Sequence, residues 1–519
     1  MIESGDPVRE LSLRIISAVK DGRAGSRDDI QRMKIILCSE LGLAEVPPNS
    51  AILKNVEPGD RKLLEPFLIK KPMRTMSGVA VVAVMTSPHP CPHGKCAYCP
   101  GGVENGSPQS YTGKEPAARR AERNRFDPFL QVKDRIGQLT AIGHKTDKID
   151  LIIMGGTFTS RDRGYQEWFV KRCLDAMNGN DSPDLRTAQL WNETSGHRCI
   201  GLTVETRPDV FGDEQIELAM LLGATRVELG VQILDDRVLS ASKRGHGIKE
   251  VADSTKSCKD RGLKVCYHIM PGLPGSDPKK DLECFRQIFD NSDFRPDMLK
   301  FYPALVISGT ELYDMWMKGE YMPYDTETAV DLLSEMKSEI PEYVRIQRIQ
   351  RDIPAPQITA GILRSNIRQL VKENMDSHGM SCRCIRCREV GHTGEVLKDP
   401  DLIERKVLEY TASGGTERFV SLEYNNSIIG YLRLRTDGTE TATVRELKVL
   451  GRIAPLGSDG EDWQHRGFGK TLMETAECLA VSDGKKKLRI TSGIGVRKYY
   501  ETMGYSREGP YMVKILVDD

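Results

Sequence analysis

The sequence lacks a net charge, a large aromatic content and any long apolar run. Its 519 residues carry 74 Lys and Arg against 74 Asp and Glu, so a nucleic-acid site must be a local basic patch. Aromatic residues make up only 6%, which favours recognition of backbone and shape over stacking along a strand. No apolar run approaches the roughly 20 residues that span a bilayer, and no basic flank precedes an apolar core at the N-terminus. We expect a cytoplasmic protein without a membrane partner.

The chain is long and contains many cysteines. At 519 residues it exceeds what one hydrophobic core usually serves, so several domains are expected. Its 13 cysteines are an odd number, and six of them lie in two tight clusters. This pattern favours metal ligation in a reducing compartment over a disulfide framework.

The first cluster, Cys91, Cys96 and Cys99, has C-x4-C-x2-C spacing and follows an apolar run directly. Such a loop can bring three soft ligands to one metal centre. Three cysteines leave one iron of a [4Fe-4S] cluster open for a substrate or cofactor, whereas structural zinc normally takes four ligands. Spacing alone is equally consistent with a zinc knuckle completed by His89 or His93.

The second cluster is a C-x-C-x2-C group formed by Cys382, Cys384 and Cys387, with His392 five residues further on. Sulfur ligands with a nearby imidazole make a closed tetrahedral set, so we predict structural zinc. His378 is the competing fourth ligand. A second iron-sulfur cluster and three free thiols are the less favoured alternatives.

The sequence divides into four regions. Residues 1–75 predict a small helical domain, either a packing unit or an RNA-binding platform, and residues 76–330 alternate β-branched runs with helical stretches. Residues 331–400 form a linker with the zinc cluster, and residues 401–519 predict a mixed α/β domain. The repeating pattern of the second region indicates an α/β fold, a partial parallel (β/α)6 barrel. Its six predicted strands are Val79–Met85, Ile149–Met154, Ile200–Glu205, Arg226–Gln232, Lys264–Met270 and Met298–Tyr302.

Polar residues and glycines mark the ends of these strands. Gly155 and Gly156 follow the second strand, Glu205 ends the third, Glu228 lies in the fourth and His268 closes the fifth. Because parallel strands place their carboxyl ends at one edge of the barrel, we expect these residues to gather there with the first cysteine cluster.

Two basic stretches could bind phosphate, although solvated helix faces are the commoner meaning of such runs. They are Lys114, Arg119, Arg120, Arg123 and Arg125, and Arg345, Arg348, Arg351, Arg364 and Arg368.

The last region predicts antiparallel strands and then a glycine-containing helix start. Free backbone amides at such a start can hold a pyrophosphate. Glu446, on the strand before this loop, is a candidate base, and a surface carboxylate is an equally good interpretation. The residues of the loop and helix start are Gln464, Gly467, Phe468, Gly469 and Lys470.

The cysteine loop, the barrel and the glycine pair together resemble the radical S-adenosylmethionine (SAM) superfamily. The resemblance implies a [4Fe-4S] cluster on the three cysteines, Tyr98 near the adenine of SAM, and Gly155-Gly156 beside its methionine amino group. The chain departs from the usual C-x3-C-x2-C spacing and has Thr157 where Glu is common.

The C-terminal helix start resembles the acetyl-CoA site of the Gcn5-related acetyltransferases. That resemblance implies acetyl-CoA as a ligand and places Tyr499 and Tyr500 among the CoA-contacting or acid residues.

Across essentially its whole length the chain resembles the Elongator catalytic subunits, in particular the single-chain archaeal and bacterial type. The resemblance rests on Cys91–Gly102, Met154–Phe158, Glu205–Asp209, Arg351–Pro354 and Gly495–Tyr500. It implies a tRNA uridine(34) C5-carboxymethyltransferase that uses acetyl-CoA and acts on the anticodon stem-loop. The resemblance also implies an electron donor as a partner and a chain that works without other Elongator subunits. It leaves open whether the protein forms a homodimer.

Radical chemistry suits this reaction, because carbon 5 of uracil has no leaving group and the acetyl methyl is only weakly acidic. We expect a SAM-derived radical to activate the acetyl methyl, which then adds to a wobble base flipped out of the anticodon. The alternative is a protein lysine acetyltransferase with a structural radical-SAM domain, which would acetylate peptides without RNA.

Overall fold

The computed structural model describes residues 6–69, 78–395, 399–450 and 467–516. The N-terminal helices have their own apolar core, which includes Leu11, Ile15 and Leu64. The first helix begins where Asp6 accepts a hydrogen bond from the backbone N of Val8 at 3.0 Å, as the capping pattern predicts. The helices are α1 Pro7–Lys20, α2 Arg27–Glu40, α3 Asn49–Leu53 and α4 Arg61–Leu68.

The central domain is built on a parallel sheet whose seven strands are neighbours in chain order. All six predicted strands are confirmed. Arg226–Gln232 has the predicted bounds, and the ends of the other five are shifted by at most two residues. The strands are β1 Ala80–Met85, β2 Lys148–Met154, β3 Arg198–Thr206, β4 Arg226–Gln232, β5 Lys264–Ile269, β6 Met298–Phe301 and β7 Arg345–Ile349.

The seventh strand extends the predicted six-stranded barrel. Its sequence Arg-Ile-Gln-Arg-Ile is too polar to resemble a buried parallel strand, and its arginines instead belong to the second predicted basic stretch. Its pairing with β6 adds one strand to the open edge of the partial barrel.

Helices surround this sheet, and α6, α7 and α11 pack on β1, β3 and β5. The sheet therefore has the layered α/β architecture that the alternating pattern predicts. The helices are α5 Pro116–Arg123, α6 Pro128–Ala141, α7 Arg163–Asn178, α8 Leu185–Asn192, α9 Asp213–Leu222, α10 Asp236–Ala241, α11 Ile248–Asp260, α12 Pro278–Asp290, α13 Glu311–Met317 and α14 Thr326–Ser338.

A short helical segment joins this sheet to the C-terminal domain. It consists of α15 Ile367–Ser377, α16 Ile385–Arg388 and α17 Val390–Thr393. The segment is tied to the barrel where the backbone N of Ile385 donates to the carbonyl of Val344 at 2.9 Å.

The C-terminal domain is a mixed sheet in the order β13-β14-β12-β11-β10-β9-β8. Its β9–β10 hairpin turns at Asn425 and Asn426, whose φ values of 46° and 66° fit a two-residue hairpin loop. The elements are β8 Glu404–Ala412, β9 Gly415–Tyr424, β10 Ser427–Thr436, β11 Thr441–Val449, α18 Phe468–Ser482, β12 Lys487–Ile490, α19 Arg497–Glu501, β13 Ser506–Glu508 and β14 Tyr511–Ile515.

The C-terminal sheet docks on the amino-terminal edge of the barrel. Arg445 of β11 donates to the carbonyl of Leu263, just before β5, at 2.8 Å, and to Asp297, just before β6, at 2.9 Å. A Cβ on Gly493 would lie 2.0 Å from the carbonyl oxygen of Ile200 in β3, so the backbones are in direct contact. This arrangement leaves the carboxyl edge of the barrel open.

A buried ionic network holds the two domains together. Arg445 also donates to Glu417 of β9 at 2.9 Å, and the Lys259 ammonium lies 3.6 Å from Glu417 and 3.8 Å from Asp297. These four side chains are fully buried. Among the described residues, none of the helices combines the length and apolar character needed to cross a bilayer.

Candidate active site

The three cysteines of the first cluster line one cavity of about 120 Å³ at the carboxyl edge of the barrel. Cys91 Sγ lies 3.4 Å from Thr157 Oγ1, and Cys99 Sγ accepts a hydrogen bond from the backbone N of Ser110 at 3.2 Å. Burial raises the pKa of Cys91. Cys96 is buried deeper in the same wall. The loop therefore presents three thiols to one space, as the spacing predicts.

The cavity wall fits a polar cofactor held beside a metal cluster. The hydroxyl of Tyr98 and the side-chain oxygen of Gln232 both line it and are buried without a hydrogen-bond partner in the described part of the chain. Such groups are costly unless a ligand satisfies them. Three thiols with an adjoining polar space are the donor set that a site-differentiated [4Fe-4S] cluster and SAM require.

The glycine pair after β2 lies against the loop that follows β1. Gly155 and Gly156 have φ values of 125° and 92°, which disfavour any side chain. A Cβ at Gly155 would lie 2.3 Å from Thr86 Oγ1, and one at Gly156 would lie 3.0 Å from Gln109 Cβ. Gly156 lines the cavity, so its backbone is open to a ligand there.

Glu205 lies in the same cavity at the end of β3. It accepts a hydrogen bond from the Tyr111 hydroxyl at 2.8 Å. Burial and the neighbouring Glu205 carboxylate raise the pKa of Tyr111 well above its usual value, so the phenol remains protonated as a donor. No sequence pattern predicts a role for Tyr111, because it lies on an irregular loop.

A second carboxylate, Glu228 of β4, forms a buried cluster on the cavity floor. His268 Nε2 lies 2.9 Å from its Oε2, and the Lys300 ammonium of β6 donates to the same oxygen. Burial raises the pKa of Glu228, but the charge of Lys300 and the hydrogen bond from His268 outweigh it and hold this pKa well below its usual value. Lys300 was not predicted as part of the site. The signal that could have indicated it is a lysine inside the apolar, buried strand Met298–Phe301.

A groove of about 760 Å³ adjoins the cavity, and both predicted basic stretches contribute to it. Arg348 and Arg351 line both the groove and the cavity. Arg345 instead points inward and pairs with Glu389 at 2.7 Å. The basic side chains of the groove are Lys114, Arg119, Arg120, Arg123, Arg135, Arg348 and Arg351.

The second cysteine cluster is also assembled. The sulfur atoms of Cys382, Cys384 and Cys387 lie within 4.8 Å of one another, a group that could hold a metal ion. Hydrogen bonds from the other two thiols hold the pKa of Cys384 well below its usual value. Of the described residues, neither His392 nor His378 belongs to that group. The fourth ligand therefore stays a prediction.

The predicted CoA loop is described from Gly467 onward, and Gln464 lies outside the described residues. Gly467, with φ of 83°, caps α18, whose first turn contains Gly469. A Cβ at Gly469 would lie 2.5 Å from the Tyr499 hydroxyl. Tyr499 is partly exposed and Tyr500 is buried, with ring centroids 5.3 Å apart. The structure thus brings the helix start and the tyrosine pair together.

Glu446 lies elsewhere, on the side of β11 that faces the barrel. It accepts a hydrogen bond from Arg433 Nε at 2.9 Å. Although burial raises it, the charges of Lys264 and Arg433 lower the pKa of Glu446. The carboxylate is therefore ionised in an ion pair within the C-terminal sheet, and its role as a base stays a prediction.

These features define a class: a radical SAM enzyme joined to an acyltransferase domain. Four family models match the chain. They are the ELP3 N-terminal domain at residues 7–76, the Radical SAM superfamily at 87–287, the Radical_SAM C-terminal domain at 296–377 and the Acetyltransferase (GNAT) domain at 395–515.

Full-length relatives narrow the class. A tRNA uridine(34) acetyltransferase of Methanocaldococcus jannaschii is 50% identical, over 99% of this chain and 99% of the relative. Elongator complex protein 3 of Homo sapiens is 40% identical, over 99% of this chain and 97% of the relative. The solved structure of the archaeal Methanocaldococcus infernus Elp3 with an N-terminal deletion matches with a TM-score of 0.76 and 47% identity, over 85% of this chain and 100% of that one. The chain belongs to the family of tRNA uridine(34) acetyltransferases and Elongator complex protein 3.

Proposed function

We propose that the protein carboxymethylates carbon 5 of uridine 34 in tRNA, with acetyl-CoA as the carbon source and radical SAM chemistry. The observation that carries the proposal is the presence, in one chain, of a three-thiol cavity and a CoA-type helix start. A relative that shares this whole architecture at 50% identity is named tRNA uridine(34) acetyltransferase, which supports the same substrate here.

The cavity would hold the radical centre. Cys91, Cys96 and Cys99 would bind a [4Fe-4S] cluster, which together with SAM supplies the carbon radical that an unactivated uracil carbon requires. Gly156 leaves its backbone open to SAM, and Glu205 with Tyr111 offers polar contacts in the same cavity. The protein supplies position and a largely buried space.

The basic groove would hold the RNA. Phosphate binding depends on local Lys and Arg, and this groove concentrates them beside the cavity mouth despite a net charge of zero. A wobble base must leave the anticodon stack to reach the cavity. Arg348 and Arg351, which line both spaces, are placed to contact the backbone on either side of that base.

The C-terminal domain would bind acetyl-CoA. The first-turn amides of α18 would hold its pyrophosphate. The Tyr499 hydroxyl beside Gly469 is the candidate proton donor, with Tyr500 packed behind it. Glu446 is retained as the candidate base for thioester hydrolysis.

The remaining assignments concern the second cluster and the partners. We propose structural zinc on Cys382, Cys384 and Cys387 with His392 as the fourth ligand and His378 as the alternative. All 13 cysteines are free, which fits the reducing cytoplasm. The enzyme would take electrons from an external one-electron donor and act without other Elongator subunits, as a monomer or homodimer.

The test is an anaerobic reaction with labelled acetyl-CoA followed by mass spectrometry of the wobble nucleoside. The wild type should give labelled carboxymethyluridine, and Cys96→Ser or Cys99→Ser should abolish it while tRNA binding is retained. Product formed by a protein that carries no cluster would contradict the mechanism. Transfer of the label to lysine peptides without RNA would instead establish a protein acetyltransferase.

A further inference from the structure

A buried guanidinium group lies directly behind one of the three thiols. Arg244 Nη1 lies 3.4 Å from Cys96 Sγ, and its Nη2 donates to the carbonyl of Gly230 at 2.6 Å. A Cβ on Gly230 would lie 2.4 Å from that Nη2. The absence of a side chain at Gly230 therefore leaves space for the guanidinium. Contacts with Cys96 Sγ and the carbonyl of Gly230 fix its position.

A second buried guanidinium belongs to Arg207, which is only 3% exposed. Its Nη2 donates to Asp209 Oδ2 at 2.9 Å, whereas its Nε and Nη1 are buried without a partner in the described ranges. Like Arg244, Arg207 lines the cavity that the thiols enter. Buried donors of a charged group are costly to leave unpaired, so their presence here indicates an anionic ligand in the cavity.

Two histidines lie beside these arginines. His93 Nε2 lies 3.1 Å from Cys96 Sγ. Burial and the charges of Arg244 and Arg207 lower the pKa of His246 to about 2, so this imidazole adds no charge. Asp209, which accepts from Arg207, is the carboxylate that contacts this group. The guanidinium groups of Arg207 and Arg244 therefore lie in the wall that carries the thiols, and the carboxylate of Asp209 is paired with Arg207.

We infer that Arg207 and Arg244 raise the reduction potential of the iron-sulfur cluster held by the three cysteines. The inference rests on the cluster assigned under the proposed function. A [4Fe-4S] cluster with three thiolates carries one net negative charge when oxidised and two when reduced. Fixed positive charge stabilises the reduced form more, and potentials of such clusters respond to nearby charge and to hydrogen bonds to sulfur.

The experiment is a redox titration, followed by electron paramagnetic resonance, of the anaerobically reconstituted full-length protein. Arg207→Met and Arg244→Met should each shift the oxidised-to-reduced ratio at the wild-type midpoint by at least about tenfold, equivalent to about 59 mV for a one-electron couple, towards lower potential. Arg244→Lys, which keeps the charge, should shift it less. Lys243→Met is the matched control, because Lys243 is exposed and pairs with Glu311 at 2.6 Å. It should leave the midpoint unchanged.

Iron and sulfide content, thermal unfolding and SAM binding are measured on every variant. Full clusters with wild-type midpoints in Arg207→Met and Arg244→Met overturn the inference. A midpoint change seen only with SAM present assigns the arginines to cofactor binding and also overturns it. If Arg244→Met cannot assemble a cluster, Gly230→Ala is measured in its place, because the added Cβ displaces the guanidinium without removing its charge. A wild-type midpoint in Gly230→Ala also overturns the inference. A wild type that assembles no cluster contradicts the proposed function instead.

Discussion

Buried charged side chains distinguish the interior of this sheet from that of a purely structural barrel. Glu228 and Lys300 occupy neighbouring positions where branched aliphatic residues would pack. Burying both ions carries a desolvation cost that only good geometry offsets. Of the two, Glu228 also lines the cavity of the three thiols.

Lys300→Met should lower the free energy of unfolding by about 3–5 kcal/mol, because it leaves the buried Glu228 carboxylate short of its main partner. Chemical denaturation measures this change. The Glu228→Gln and Lys300→Met double variant should be destabilised by less than the sum of the single changes. Lys249→Met, which removes an exposed ion pair with Asp253, should change stability by less than about 1 kcal/mol. Strict additivity of the two buried changes would contradict the coupling.

The position of Glu446 could not be predicted from the sequence. Strict strand alternation would place Glu446 on the face opposite Arg445, but a shift in the β10–β11 register lets both face the barrel. Alternation therefore does not predict the position of Glu446. The cross-strand register pairs it with Arg433, and the barrel covers that face. By contrast, the cysteines and the glycine pair were located from sequence because their spacing and backbone requirements are local.

At the scale of elements, hydrophobic pattern predicted six of the seven barrel strands and failed only where a strand is polar. Strand β7 carries two arginines and a glutamine among its five residues, and the first of them, Arg345, is buried in an ion pair with Glu389 of the linker. In the C-terminal sheet, the edge strand β8 has no clear hydrophobic pattern, because it is exposed along most of its length and four of its nine residues are charged.

The start of α18 should lose its ligand when a single methyl group is added. Gly469→Ala places a Cβ 2.5 Å from the Tyr499 hydroxyl, so the tyrosine must move out of its position over the helix start. We expect acetyl-CoA affinity, measured by calorimetry, to fall at least about tenfold, with the fold retained. Gly137→Ala in α6 is the control. It meets no atom within 4 Å and should keep affinity while gaining up to about 1 kcal/mol of stability.

The second cysteine cluster should contain zinc that stabilises the linker. Cys384→Ser should remove the metal, measured by elemental analysis, and lower the thermal midpoint, because the thiolate anchors the segment beside β7. His392→Ala and His378→Ala are a matched pair, and the variant that loses zinc identifies the fourth ligand. A wild type that purifies without zinc and unfolds identically after chelation would refute this assignment.

On the scale of the whole molecule, the two catalytic domains are joined by contacts between residues far apart in sequence. Arg445 and Asp297 are 148 positions apart, and Glu417 and Lys259 complete the buried group. Each reads in sequence as an ordinary surface charge, so no local pattern could predict the junction. The network fixes how the CoA domain sits relative to the radical cavity at the opposite edge of the barrel.

Arg445→Met should therefore weaken the junction of the two domains. It leaves Asp297 and Glu417 buried without their main cation, a change that typically costs about 3–5 kcal/mol. Denaturant unfolding should show the loss, and the domains should begin to unfold in separate steps. Arg286→Met is the control, because its pair with Glu339 is partly exposed and should contribute less than about 1 kcal/mol.

The same variant should change how stability responds to acid. Burial raises the pKa of Asp297, but the positive charges around it outweigh this effect and hold the pKa far below its usual value. These charges belong to Arg445, Lys259 and Arg433. A carboxylate with a depressed pKa adds stability above its unfolded pKa of about 3.9, and that contribution is lost as pH falls below it. Arg445→Met raises the pKa of Asp297 towards its unfolded value, so the unfolding free energy should fall less steeply between about pH 4 and pH 2. A wild-type acid slope in this variant would show that Arg445 does not set the pKa of Asp297.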